Sequence, residues 1–427
     1  MVKSLINNAK KENIILEVKQ NKSSGALINI TNGIKEKYEV SNTNFYNIKA
    51  LIDNKTVNIR TSKIDDVQGI INEIKSTASL IEEKTENTLA KDIDINRVSS
   101  KKIEVDLKKV LEELLSLEKL KDKYKEISHL EIDFAYDYNE ISIINETASL
   151  YDNNLIFSYG ASIVVKKEDK TQSVYFNKVS KKHNFEELKE DLIKKIEDVI
   201  NKIDAESIES SKYNIVLKNE AAFSILRNIT SLFNAEKINK NLSCLSGKFN
   251  KQIFSDKITI IEDPSNDLYP GKRLFDDEGT KTYYKEIVKN GKFITKLYDN
   301  KEALKDKTVS TGNSFGVRNI YIKPGEKSFE DLVKACKNGA IIDRVEGLHS
   351  GLNTLTGEFS LQAQGYKIKD GKINEALNLI ILTSNIFELF GNVKEVGNDL
   401  KFKSLVGASP SLLIENISIS GSKGEIK

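Results

Sequence analysis

The chain changes pattern near residues 206–213, and this change restricts its fold more than any other feature. Before it, helical repeats alternate with runs in which apolar and polar residues alternate at period two. After it, glycine is denser, strand-like runs are short, and all four prolines occur (Pro264, Pro270, Pro324, Pro410). Proline cannot donate to a sheet ladder and glycine admits tight turns, so the second half reads as short strands joined by frequent turns. The expected fold class is α+β: an N-terminal α/β sandwich-like domain over residues 1–205, then a β-rich C-terminal domain over residues 206–427.

In the first half, residues 2–12 predict an amphipathic helix. ILEVKQNKS and GALINITNG predict two strands, and two more are expected at 46–52 and 55–61, joined by a tight turn at Asp53-Asn54. Asp65-Asp66 mark a helix start, after which Val67, Ile70, Ile71 and Ile74 fall on one face. Residues 85–104 read as a loop and 107–127 as a helix. Four strands are expected between 129 and 178, with turns at 152–154 and 167–171. A helix over 184–205 carries Leu188, Leu192, Ile196, Val199 and Ile203. Hairpin, strands and helix thus follow one another twice, at 13–82 and 129–205. In the second half, helices are expected at 219–233 and 328–338. Strands are expected at 292–298, 318–323, 358–369, 372–383 and 411–419, with Asp370-Gly371 turning the chain between two of them.

Composition excludes several functions. Sixty-five lysines and arginines balance 63 aspartates and glutamates, so a net charge of +2 offers no field that would steer the chain to nucleic acid. Tryptophan is absent and aromatics are 7%, which leaves few platforms for stacking bases. The longest apolar runs, at 377–382 and 386–390, fall far short of the ~20 residues of a membrane span. Two cysteines, Cys244 and Cys336, make no disulfide framework, and together with an N-terminus lacking a signal-peptide pattern they point to the cytoplasm.

Histidine supply limits the chemistry further. His129, His183 and His349 are the only three, and none stands in an H-E-x-x-H, H-x-H or C-x-x-C spacing, so no local zinc site can be assembled. His129 is expected at an apolar strand, His183 solvated at a helix start, and His349 in a glycine-flanked loop. Asp276, Asp277 and Glu278 could bind a hard cation, cap a turn or hold an arginine. Polar residues set among glycines stand out in the second half: Thr311, Gly312, Asn313, Arg318, Asn319, His349, Gly351, Asn353, Thr356, Gly357 and Ser360. They read either as turns of a β-rich fold or as the rim of a cleft that takes an extended peptide as an added strand.

Five segments together resemble the TldD/PmbA family, the modulators of gyrase: DPSNDLYPGKRLFDDEGTKT (263–282), STGNSFGVRN (310–319), GLHSGLNTLTGEFSLQAQGYKIKDGK (347–372), LNLIILTSNIFELFGNVKEVGNDL (377–400) and GASPSLLIENISISG (407–421). The resemblance covers the second domain in motifs and the first only in layout. It implies a metallopeptidase family with two branches. One carries an H-E-x-x-x-H helix and a downstream cysteine, which together hold zinc; the other, PmbA or TldE, lacks them and pairs with the first. The motif helix matches NEAAFS here, so Asn219 and Ser224 stand at the histidine positions and Glu220 keeps the glutamate, as a solvated carboxylate. The cysteine would fall in KFKSLV (401–406), which has none. Amide and hydroxyl are poor zinc ligands, so the resemblance implies a metal-less chain with no catalytic residue of its own. Zinc is then expected only in a TldD-like partner. The expected partners are that homologue in a heterodimer, or a second copy in a homodimer, and a peptide or unfolded-protein substrate. Alternatives are a self-contained homodimeric peptidase using Asp277, Glu278 or His349, and a binding protein for peptide or gyrase without hydrolysis.

Overall fold

A computed structural model describes residues 1–83 and 89–422. The first half is built on one sheet of very long strands. Helix α1 (Val2–Lys11) leads into β1 (Ile15–Thr31), β2 (Ile34–Ile52), β3 (Lys55–Thr61) and α2 (Val67–Leu80). A short β4 (Ile93–Asn96), α3 (Leu107–Glu118) and α4 (Leu120–Lys123) follow, then β5 (Ile127–Ile144), β6 (Ala148–Lys167), β7 (Lys170–Ser180) and α5 (Phe185–Lys202). The sheet runs β3-β2-β1-β5-β6, with β4 and β7 both on β6, so the two hairpin-and-helix units meet along the antiparallel β1–β5 pair.

Period two decides which face each residue occupies. Along β1, Leu16, Val18, Ala26, Ile28 and Ile30 are buried. Leu16 and Val18 lie under α1 and α2 with Leu5, Ile6, Ile70, Ile71 and Ile74. Ile28 and Ile30 lie under α3 and α5 with Val110, Leu114, Leu188, Leu192 and Ile196. Helices α1, α2, α3 and α5 therefore cover one face. On the other face, Ile143, Ala148 and Leu150 bury Leu274 and Phe275 of the second half. The helices start where side-chain caps form: Asp66 accepts from the Gly69 N–H, Asp106 from Lys108 and Lys109, and Asn184 from Glu187.

Several expectations in this half are corrected. The two strands expected at ILEVKQNKS and GALINITNG are one strand, because Gly25 lets the β5 backbone come close: a Cβ there would lie 2.1 Å from the Tyr136 carbonyl oxygen. The expected turn at 152–154 lies inside β6, where Asp152 and Asn153 are buried and bonded, and the chain turns at 145–147 instead. Three strands, not four, fill 127–180. The helix expected to reach 127 stops at Glu118 and resumes for one turn, since Tyr124 begins the turn into β5. The loop expected over 85–104 contains β4, paired parallel to β6; its residues 85–88 lie outside the described ones.

The second half contains β8 (Ser211–Leu217), α6 (Asn219–Ile229) with a 3-10 turn (Thr230–Phe233), α7 (Ala235–Asn239), β9 (Ile260–Glu262), β10 (Lys285–Lys289), β11 (Lys292–Phe293) and α8 (Asn300–Lys305). It continues with β12 (Ile320–Ile322), α9 (Phe329–Cys336), β13 (Gly339–Glu346), α10 (Leu348–Gly351), β14 (Glu358–Lys369), β15 (Lys372–Asn385), α11 (Ile386–Gly391), β16 (Val393–Val396), β17 (Gly407–Ala408) and β18 (Leu412–Ser420). One sheet runs β11-β10-β9-β12-β17. The other runs β15-β14-β13-β8-β18-β16, and β15 also pairs β18, so five of its strands close into a ring. The strand expected at 292–298 shrinks to Lys292–Phe293. Asp370 and Gly371 both take positive φ and turn β14 into β15 as expected. Alternation again assigns the faces: Ile215 and Leu217 join the main core with α6, while Val216 packs with Leu332, Val333 and Cys336 of α9.

Buried polar groups join the halves. Lys272 pairs with Asp152, which also accepts from the Leu274 N–H at 3.0 Å, and Lys202 lies 2.6 Å from Asp343. The Val179 N–H donates to the Lys403 carbonyl at 2.9 Å.

Candidate functional site

The N-terminus of α6 is fixed by the strand before it and by the segment 399–411. The Asn219 N–H donates to Ser411 Oγ at 3.0 Å, and Ser411 Oγ donates to Asp399 at 2.7 Å. The Asn219 amide donates to the Asp399 carbonyl at 3.3 Å, and the Ser224 hydroxyl to the Glu220 carbonyl at 2.9 Å within the helix. Glu220 is half exposed, as expected of a solvated helix-start carboxylate, but it is ion-paired. Lys403 Nζ lies 2.9 Å from one oxygen and Lys195 Nζ, from α5, 3.6 Å from the other. Burial pushes its carboxyl up, but the charges of Lys195, Lys403 and Lys218 prevail and hold it at about 2. The Lys403 ammonium thus stands within the segment where the resemblance would put a third metal ligand.

This donor set does not fit a divalent cation. One amide and one hydroxyl are already committed, the carboxylate is neutralised, and an ammonium carries positive charge where a metal would carry its own. Among the described residues, no three His, Cys, Asp or Glu side chains converge on a metal-sized site.

The glycine-rich residues fall into two groups. The first surrounds Glu262 on β9, which is fully buried. Glu262 accepts from Lys285 Nζ at 2.8 Å, from the Asn313 amide at 3.0 and 2.9 Å and from the Arg318 N–H at 2.9 Å. Thr311 holds the Asn313 amide in turn, at 2.8 Å. Gly312 takes φ 73°, with Lys281 and Thr282 backbone beside it. Asn319 is fully buried; its carbonyl oxygen accepts from the Gly271 N–H and its amide donates to the Asp263 carbonyl. The second group is the loop after β13. His349 is exposed on α10, Asn353 accepts from the Leu355 and Thr356 N–H groups, and Thr356 Oγ donates to Glu358. No hydrogen bond among the described residues links the two groups.

The acidic triplet diverges. Asp276 accepts from the Glu278, Thr280 and Ser314 N–H groups, Asp277 pairs with Arg273 and Lys19, and Glu278 accepts from the Asn300 N–H at 2.9 Å. It caps turns and holds an arginine, two of the uses the sequence left open. His183, expected solvated, is instead bonded on both ring nitrogens, to Tyr159 and Glu113 at 2.7 Å each, and it stacks on Tyr159. Sequence reasoning missed Glu262, Lys195, Lys403 and Arg273. The first is an acidic residue ending an apolar strand, IIE, which is a signal that a buried charge needs partners.

Fold and motifs define the class first. Residues 210–421 match the family model described as the PmbA/TldA metallopeptidase C-terminal domain. The metalloprotease PmbA homologue of Buchnera aphidicola (Baizongia pistaciae strain) is 28% identical over 223 residues, 52% of this chain and 49% of that protein. An uncharacterised protein of Methanocaldococcus jannaschii is 37% identical over 194 residues, 42% of this chain and 45% of that one. The chain thus aligns with about half the length of these curated relatives. Among solved structures, a candidate modulator of a DNA gyrase from Thermotoga maritima superposes with a TM-score of 0.87 at 25% identity, covering 98% of this chain and 99% of that one. TldE from Thermococcus kodakarensis shares the fold, with a TM-score of 0.82 at 18% identity over 98% of this chain and all of that one. The chain belongs to the TldD/PmbA family.

Proposed function

We propose that this chain is the metal-less subunit of a TldD/PmbA-type peptidase. It pairs with a zinc-bearing homologue and helps wall in the cleft where peptides or unfolded segments are degraded or trimmed. One observation carries the reading: Glu220, the residue that would activate a metal-bound water, is instead neutralised by Lys403 and Lys195. With Asn219 and Ser224 held by backbone and loop, no group at this helix start is free to bind zinc or to take a proton from water at neutral pH. The relatives named as metalloproteases support the peptide-handling side of the reading. The self-contained alternative loses support, because Asp277 is paired with two cations, Glu278 caps a turn and His349 stands exposed in another loop. A cytoplasmic location belongs to the same proposal; among the described residues no helix is long and apolar enough to cross a membrane.

The test is co-expression with a homologue that carries H-E-x-x-x-H. The expected result is a complex of the two chains that cleaves casein-derived peptides, while this chain alone does not. Peptide cleavage by the purified chain alone, or failure of the two chains to associate, contradicts the proposal.

A further inference from the structure

We propose that Arg318, with Arg273 and Ser314 beside it, forms a seat for a carboxylate. That the carboxylate arrives on a peptide rests on the function proposed above; that the seat takes a carboxylate does not.

Arg318 leaves a rigid piece of backbone. Its N–H is bonded to the buried Glu262 at 2.9 Å, and Asn319, fully buried, follows it in a left-handed conformation with φ 50°. The guanidinium lies over the Phe315 ring, 5.6 Å from its centroid, and the Arg273 guanidinium lies over the same ring at 4.7 Å. Two planar cations therefore share one aromatic ring. Among the described residues, the Arg318 guanidinium makes no hydrogen bond or ion pair, although the residue is only partly exposed. Arg273 pairs with Asp277 through a terminal nitrogen, but its Nε is buried without a partner, and so is Ser314 Oγ. Buried donors of this kind are normally satisfied, so these two, together with a half-buried guanidinium that no anion among the described residues meets, point to an acceptor brought from outside.

The charges nearby make that acceptor an anion. Asp277 is already met by Lys19 at 2.7 Å and by Arg273; Asp276 is taken by three backbone N–H groups; Glu262 is taken by Lys285. Arg318 remains as an uncompensated cation. Burial and then the Arg273 charge lower its pKa, while Asp277 opposes them, which fits a cation held next to another cation. A carboxylate has one charge and two acceptor oxygens, and it can bridge a guanidinium fork and a serine hydroxyl.

The test follows the arginine Nε–Hε NMR signals of the full chain during titration with N-acetyl-trialanine, its C-terminal amide, and inorganic phosphate. The expected result is saturable shifts of the Arg318 and Arg273 signals with the acid and none with the amide. Arg318→Gln should weaken the acid by at least about tenfold, and Ser314→Ala by a smaller factor. Equal responses to acid and amide, or no saturation with the acid, overturns the seat. Tighter binding of phosphate than of the acid overturns the carboxylate assignment. The acid-against-amide comparison uses the unmodified chain, so it decides the matter even if a variant fails to fold. No partner subunit is present, so the outcome is independent of whether the pairing proposed above occurs.

Discussion

At Glu220 the pH dependence has a definite sign. The folded carboxyl sits at about 2, below its ordinary 4.5, so the clamp stabilises the fold fully above about pH 4.5 and loses that contribution as pH falls towards 2. Half of the side chain is exposed, so solvent screening keeps the contribution below about 1 kcal/mol. A carbon-13 NMR titration should place the Glu220 midpoint near 2, and Lys403→Ala should move it upward; an unmoved midpoint would show that Lys403 is not the clamp. The three α6 positions were legible in the sequence because they fall within one six-residue run, NEAAFS, that the family resemblance picks out. Lys403 was not, because it reaches Glu220 across 183 residues and no local pattern records that distance. His183 was misread for the same reason: Tyr159 and Glu113 lie 24 and 70 residues away.

At the level of elements, periodicity recovered the longer helices α1, α2, α3, α5, α6 and α9 and the helix-covered face of the first sheet, because burial there follows the side-chain period directly, but the short helices α7, α8, α10 and α11 were not read from it. It failed where polar residues sit inside strands. Asp152 and Asn153 look like a turn until Ser99, Ser100, Leu274 and Tyr138 are seen to satisfy them within β6. The continuity of β1 through Gly25 carries a prediction. Gly25→Ala should cost about 1–3 kcal/mol in urea denaturation, since its Cβ would meet a backbone oxygen rather than a flexible side chain. Gly391, at the end of α11, has nothing within 4 Å of an added Cβ, so Gly391→Ala should leave stability within about 1 kcal/mol of the parent. Equal effects at the two positions would refute the close β1–β5 approach.

Over the whole molecule, the two halves are joined by charges that neither could leave unpaired. The Lys272 side chain has no exposure and Asp152 only 3%, so Lys272→Met leaves a buried carboxylate without its cation and should cost about 3–5 kcal/mol. Adding Asp152→Asn should restore part of that loss, and a double variant no more stable than the single one would contradict this account of the joint. Nothing in the sequence marks this pair, since its members lie 120 residues apart, one in a segment read as a turn and the other in a segment assigned no helix or strand. The central claim is that the family's metal-binding corner is here occupied by lysine. Elemental analysis of the purified full chain, after dialysis against a chelator and then against zinc, tests it most directly. The account predicts zinc far below stoichiometric; one tightly retained zinc per chain, lost in Glu220→Ala, would contradict it.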